Sequence, residues 1–465
     1  MPKKLAPSIK QLEKDARSYV WHPFTPMQEW EQHPPLIISR GKGIVLYDVE
    51  GNAYLDGTSS IWVNLHGHRH PTIDQAIRHQ LTRMAHSTLL GLTHPLAIQL
   101  AKALVDITPK GLEKVFFSDN GSTAVEIALK IAIQYWQQCP APQPRKTQFI
   151  HLGLAYHGDT VGSMSLSGIE LFQKPFSSLL FPGQHQIEAP YCYRCPLNLQ
   201  FPRCQLACID PLESLLQEKH EEIAGVIVEP MVQGVAGLIP SPPGYLQRVR
   251  ELCRQYHVLF IADEVATGFG RTGRMFACEH ESVTPDIMAL AKGMTGGYLP
   301  LAATLTTDEI YSAFLGEPHE GKTFFHGHSY TGNPLGCAAA LANLSIFKTE
   351  RTLSNVQRRT PKLSMFLKTL AADPWVGNIR QCGYMVGIEL VQNQQSKEPF
   401  PMTDRIGHHV GLAARALGLL IRPIGNTMIL MPPLSATIRE LKQMVDILSV
   451  AISIVRASKS GGAKR

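Results

Sequence analysis

At 465 residues the chain exceeds what one hydrophobic core usually serves, so two or more lobes are expected. A hydrophobic content of 44% with 18% charged residues excludes a disordered or fibrous protein, and no apolar run approaches the roughly 18 residues that span a bilayer. The formal charge of +6 is small and scattered, apart from Lys3-Lys4 and Lys464-Arg465, which argues against a nucleic-acid partner but suits an anionic small ligand.

The first twenty residues lack the apolar core of an export signal. With nine cysteines, this points to a reducing cytoplasm in which free thiols or metal ligands outnumber disulfides. Residues 1 to about 40 read as an arm, extended through Trp21-His22-Pro23-Phe24-Thr25-Pro26 because its two prolines forbid a helix. Gly43 to Asp56 reads as a hairpin turning at Glu50-Gly51-Asn52. The histidines His66, His68 and His70 lack the helical pair with an intervening acid that a zinc site uses, so no metal is expected there. Helical patterning runs from Thr72 to about Thr108.

From Lys114 a unit repeats: short apolar strand, polar loop, helix. Val115-Phe116-Phe117 ends in Ser118-Asp119-Asn120-Gly121-Ser122, before a helix with Ala124, Val125, Ala128, Leu129 and Ala132 on one face. Phe149 to Leu152 leads to Tyr156-His157-Gly158, and Val226 to Val228 leads to Glu229-Pro230. Val258 to Ala262 leads to Asp263-Glu264, and Ile287 to Leu290 leads to Lys292. Continuous apolar strands separated by helices predict a parallel sheet covered on both faces, with ligands at the carboxyl ends of the strands. Beyond about residue 345, Arg380–Leu390 and Leu419–Leu430 read as strands of a smaller α+β lobe. A last helix starts at the capping box Thr437 to Glu440, and the tail from Ser458 reads as frayed.

The strand ends carry chemistry when taken together. A lysine held at the end of a buried strand favours its neutral, nucleophilic form and suits Schiff-base formation with an aldehyde. Pyridoxal 5′-phosphate then requires a helix N-terminus for its phosphate, which Gly121-Ser122 supplies. Its ring nitrogen requires a buried carboxylate, for which Asp263 is placed, and its ring a stacking partner, for which Tyr156 is placed. Taken singly, Asp263 could be a helix cap, Gly121-Ser122 an ordinary turn and Tyr156 a core residue. Freed from the cofactor, Lys292 would move the proton of a transamination. A pyridoxal-phosphate mutase or decarboxylase is the second enzyme class, and a metal-thiolate binding module the non-enzymatic one. No Gly-x-Gly-x-x-Gly follows an early strand, against a nicotinamide dehydrogenase.

The run Asp263-Glu264-Val265-Ala266-Thr267-Gly268-Phe269-Gly270-Arg271-Thr272-Gly273, followed by Ala291-Lys292-Gly293, resembles the class III aminotransferases of the fold type I pyridoxal-phosphate enzymes. Trp21-His22-Pro23-Phe24-Thr25, His66-Gly67-His68, Tyr156-His157-Gly158-Asp159-Thr160, Phe276 to His280, Gly332-Asn333-Pro334 and Ile421-Arg422-Pro423 extend the resemblance, within that class, to its biotin-pathway branch. The resemblance implies an α/β fold with a large, mostly parallel-sheet domain over 71–345. A smaller α+β lobe would be built from an N-terminal arm, 1–70, and a C-terminal domain, 346–465. It implies Lys292 as the covalent anchor, Asp263 on the ring nitrogen, Tyr156 on the ring and Gly121 and Ser122 on the phosphate. It further implies a homodimer in which Gly327, His328 and Ser329 reach the partner's phosphate, and a substrate pocket walled by Phe24, Ile61, Trp62, Tyr156 and Gly327. Arg422 would meet the substrate carboxylate.

The best-known members of the family it resembles, which use S-adenosylmethionine as amino donor, have tyrosine where this chain has Phe24 and tryptophan where it has Ile61. Relatives that use lysine match both positions, as well as His86 to Gly91 and Thr323 to Gly327, so both donors stay open. Finally, Cys192, Cys195, Cys204 and Cys208 are spaced for a structural zinc or iron–sulfur site.

Overall fold

The computed structural model describes residues 7–462, with side chains to Lys459; the basic pairs at the two ends lie outside them. Its centre is a seven-stranded sheet in the order Lys114–Ser118, Ala302–Thr306, Ile287–Leu290, Leu259–Asp263, Ile223–Val228, Gln148–Leu152, His185–Ile187. The five expected strands are present and mutually parallel. Two strands were not expected. Ala302–Thr306 inserts antiparallel between Lys114–Ser118 and Ile287–Leu290, and His185–Ile187 forms one edge. The inserted strand is wholly buried, yet its sequence is Ala-Ala-Thr-Leu-Thr, without the large branched residues that mark a core strand.

The sheet is buried on both faces because alternate residues of each strand enter different cores. Leu259 and Ile261 pack with Ala124, Val125 and Ala128 of the helix Gly121–Gln138. Phe260 and Ala262 pack on the other side with Val249 and Leu252 of the helix Tyr245–Gln255. Burial of each large side chain contributes about 1.5–3 kcal/mol, which holds the strand ends in register.

The two chain ends meet. The arm folds into helices Ile9–Tyr19 and Met27–Gln32 around a non-helical Val20–Pro26, and the expected hairpin forms from Val45–Asp48 and Ala53–Asp56. Ile38–Lys42 flanks this hairpin on one side, and Leu419–Leu420 pairs parallel with Ala53–Asp56 on the other. The helical stretch expected over 72–108 divides into Pro71–Leu81 and Pro95–Ile107, each opened by a proline at its first turn. The last helix, Ile438–Gly462, continues past Ser458, where fraying was expected to begin; the final residues of that tail lie outside the described ones. Its capping box is formed: Thr437 N–H donates to Glu440 Oε2 at 2.7 Å and Glu440 N–H to Thr437 Oγ1 at 3.3 Å. Leu441, Val445, Leu448 and Ile452 of its stripe are fully buried. No helix among the described residues is long and apolar enough to cross a membrane.

A buried ion pair ties the C-terminal sheet to the cysteine loop. Arg380 pairs with Glu389 across the hairpin Val376–Cys382/Met385–Asn393, and Glu389 also accepts from Tyr191 and, at 2.7 Å, from Arg194 Nε. Burial opposes the charged carboxylate, but the hydrogen bonds from Tyr191 and Arg380 outweigh it and hold Glu389 below the usual range. A depressed folded-state pKa stabilises the fold above the ordinary carboxyl value and loses that effect as pH falls through the folded value. Denaturant titration of Glu389→Gln is therefore expected to show a loss of about 3–5 kcal/mol at neutral pH. The difference from the native protein should shrink as pH falls below about 4; a constant difference would mean the carboxylate charge is irrelevant.

Candidate active site

The carboxyl ends of the strands open into a cleft of about 1060 Å³. It is lined by Phe24, Ile61, Trp62, Gly121, Ser122, Tyr156, Asp263, Lys292 and Arg422 among others. These residues, spread over some 400 positions of the chain, face one space.

Lys292 follows the buried strand Ile287–Leu290 with φ +37°, a left-handed conformation that costs a non-glycine residue on the order of 1–3 kcal/mol. Burial pulls its pKa down, opposed by the carboxylates of Asp263 and Glu229 and reinforced by the guanidinium of Arg271. The Trp62 ring centroid lies 5.3 Å from Nζ. Asp263, 4% exposed, accepts from Val265 N–H at 3.0 Å, and its other oxygen meets His157 Nδ1 at 2.7 Å. His157 Nε2 is buried without a partner.

Asn120 caps the helix Gly121–Gln138 by accepting from Thr123 N–H at 3.0 Å, so the N–H groups of Gly121 and Ser122 are left for an external acceptor. A Cβ at Gly121 would fall 2.5 Å from Val265 Cγ1, and one at Gly158 would collide with Ser122, so glycines keep this cradle open. The Ser122 hydroxyl is turned inward, to Thr160 Oγ1 at 2.8 Å and Ser163 Oγ at 2.7 Å. Thr160 in turn donates to Glu126 at 2.5 Å, so the backbone rather than this hydroxyl faces the open site.

Tyr156 is half-buried, its hydroxyl pushed up by burial and by Asp159. Its N–H donates to Glu229 Oε1 at 3.1 Å, and Gly234 N–H donates to Glu229 Oε2 at 2.7 Å. Burial pushes Glu229 up to about 7. Phe172 packs edge-on against both Phe24, at 5.4 Å between centroids, and Tyr156, at 6.1 Å. Arg422 Nη2 donates to the Phe24 carbonyl at 3.3 Å, tying the arm to the cleft mouth.

One wall is a turn that nothing in the sequence announces. Ser59, Ser60, Ile61 and Trp62 have φ of +49°, +49°, +62° and +70°, a left-handed helical turn without a glycine. Each such residue costs roughly 1–2 kcal/mol. Its opposition comes from Asp56, 1% exposed, which accepts from Ser60 N–H at 2.9 Å and Ser60 O–H at 2.8 Å. The Ser59 hydroxyl donates to the Met431 carbonyl at 2.6 Å.

Three sets of sequence-derived residues do not line the cleft. Gly327, His328 and Ser329 lie outside it; His328 Nε2 is 4.0 Å from Asp119, and the Ser329 carbonyl is 2.7 Å from His86 Nε2. Of the histidines of the 66–70 stretch, His66 packs edge-on against both His70 and Phe347, while His68 meets Asp56 and His70 meets Glu350. The metal expected at Cys192, Cys195, Cys204 and Cys208 is not supported: among the described residues no group of three or more His, Cys, Asp or Glu side chains is arranged to hold one. These thiols line a cavity of about 20 Å³ with Leu197, Leu199 and Phe201. Burial there raises Cys192 and pushes Cys208 up to about 11.

Residues 26–452 match the family model described as "Aminotransferase class-III". The chain belongs to this family, whose members are pyridoxal-phosphate aminotransferases. It is 50% identical over 440 residues to a protein of Geobacter sulfurreducens named adenosylmethionine-8-amino-7-oxononanoate aminotransferase, covering 94% of this chain and 96% of that one. A protein of the same name from Anoxybacillus flavithermus is 51% identical over 438 residues, covering 94% and 95%. The crystal structure of the Methanocaldococcus jannaschii protein of that name superposes with a TM-score of 0.90 at 47% identity, covering 96% of this chain and 99% of that one.

Proposed function

We propose that this chain transfers an amino group from S-adenosylmethionine to 8-amino-7-oxononanoate, giving 7,8-diaminononanoate for biotin synthesis. The observation that carries it is the convergence of Lys292, Asp263, Tyr156 and the Gly121–Ser122 cradle on one cleft, in a chain about half identical to relatives named for that reaction.

The cradle suits a phosphate, because two unpaired N–H groups and the positive end of an 18-residue helix face it. Asp263 would hold the ring nitrogen, itself fixed by His157, while Tyr156 would stack on the ring and Glu229 fix the Tyr156 backbone. Bound at these residues, pyridoxal 5′-phosphate supplies an electron sink for the carbon that loses its proton. Lys292 Nζ, its pKa drawn down by burial, takes that proton from the substrate carbon and delivers it to the cofactor carbon. Phe24, Ile61, Trp62 and Phe172 wall the cleft with apolar surface, and the Arg422 guanidinium offers paired donors to a carboxylate.

The second reading, lysine as donor, rests on Phe24 and Ile61. Phe24 puts a bare ring, without a hydroxyl, against Phe172, and Ile61 stands half exposed in the cleft wall. Stopped-flow titration of the cofactor-loaded protein with each donor decides between them. S-adenosylmethionine is expected to shift the absorbance of the bound cofactor and lysine to leave it unchanged; the converse would reassign the donor.

We also read the active form as a homodimer with Gly327, His328 and Ser329 delivered to the neighbouring site. Exposed Leu90, Phe325 and Tyr330 beside them support this reading, at 73%, 80% and 62% accessibility. Residues 1–70 and 346–465 are taken as one small lobe on 71–345, supported by the sheet that the two ends share.

A further inference from the structure

Strand Ala53–Asp56 delivers Asp56 to the root of the left-handed turn, where the strand pairs with Leu419–Leu420. Besides Ser60, its carboxylate meets His68 Nε2 at 3.0 Å. The His68 ring is itself pressed on Gly41, where a Cβ would sit 2.7 Å from Cγ. Burial works against the ionised Asp56, but the bonds from His68 and Ser60 more than offset it. Losing these bonds would remove part of what opposes the right-handed preference of the turn.

The turn's only large buried side chain is Trp62, 7% exposed, packed where a Cβ on Gly234 would lie 3.0 Å from its ring. Its face is presented to the Lys292 amine at 5.3 Å, within the range of cation–π attraction. The charged groups that bear on that amine are the carboxylates of Asp263 and Glu229 and the guanidinium of Arg271. The indole thus lies over one side of the amine.

We infer that Asp56 is a positioning residue of the catalytic site: by pinning the left-handed turn Ser59–Trp62 it keeps the Trp62 ring over the Lys292 amine. The inference rests on Lys292 being the proton-moving group. It predicts that Asp56 acts on Lys292 only through Trp62.

The test is a double-mutant cycle read in the cofactor-free protein. The rate at which trinitrobenzenesulfonate modifies Lys292 is followed against pH, with the site assigned by peptide mapping. Asp56→Ala and Trp62→Ala are each expected to move the midpoint in the same direction by at least about half a pH unit, roughly a threefold change in the reactive amine. The double variant should match Trp62→Ala alone, and Asp56→Asn, which keeps an acceptor for Ser60 N–H, should restore part of the native midpoint. An unmoved midpoint in Asp56→Ala with a lowered melting temperature would leave Asp56 a merely structural residue, and additive shifts would break the link to Trp62. Should Asp56→Ala fail to fold, Ser60→Ala removes one of the two bonds with the carboxylate in place, and its midpoint decides. If Lys292 itself were misassigned, Lys292→Ala would retain turnover; failure of the present inference leaves that variant inactive.

Discussion

Lys292→Ala is expected to lower kcat by at least about 10⁴-fold, the upper end of what a positioned acid–base group contributes. It should also abolish the visible absorbance of the covalently held cofactor. Both effects follow from one amine: among the described residues no other lysine lines the cleft. The fold should survive, because alanine removes only a desolvated amine and its stem from the end of Ile287–Leu290. Retained transamination in this variant, measured by product formation, would remove Lys292 from the mechanism.

Asp263→Ala is expected to reduce kcat by about 10²–10³-fold, the scale of losing one preorganised electrostatic partner. The carboxylate is buried and engaged by both Val265 N–H and His157, so its geometry is set before any ligand arrives. Deleting it leaves His157 with neither ring nitrogen paired. A cofactor analogue with a permanently charged ring nitrogen should recover much of the loss, because the charge no longer depends on Asp263. Failure of that analogue to recover activity would reduce Asp263 to a packing role.

Much of the site was legible because apolar strands end where their hydrophobicity ends. Ser118, Leu152, Val228, Asp263 and Leu290 each close a buried strand, and the polar residues just beyond them form the rim. What escaped detection is held by contacts remote in sequence. His157 and Asp263 are 106 positions apart, and Arg271 reaches the carbonyl of Pro432 across 161. The turn at Ser59–Trp62 carries no glycine, so no residue betrays its handedness; only its bonds to Asp56 and Met431 do. Ala302–Thr306 was missed because small residues fill a crowded layer as well as large ones fill an open one. The cysteine loop misled in the opposite direction, since spacing along a chain says nothing of where the sulfur lone pairs converge.

The bond from Ser59 to Met431 spans 372 residues. On a ribosome adding about 5–20 residues per second, the turn that backs the catalytic lysine waits tens of seconds for its carbonyl to be made. The strand Ala53–Asp56 likewise emerges long before Leu419–Leu420 exists to pair with it. The first wall of the cleft to be synthesised is thus among the last to be sealed, and a chain interrupted late in translation would lose its active site before it lost its central sheet.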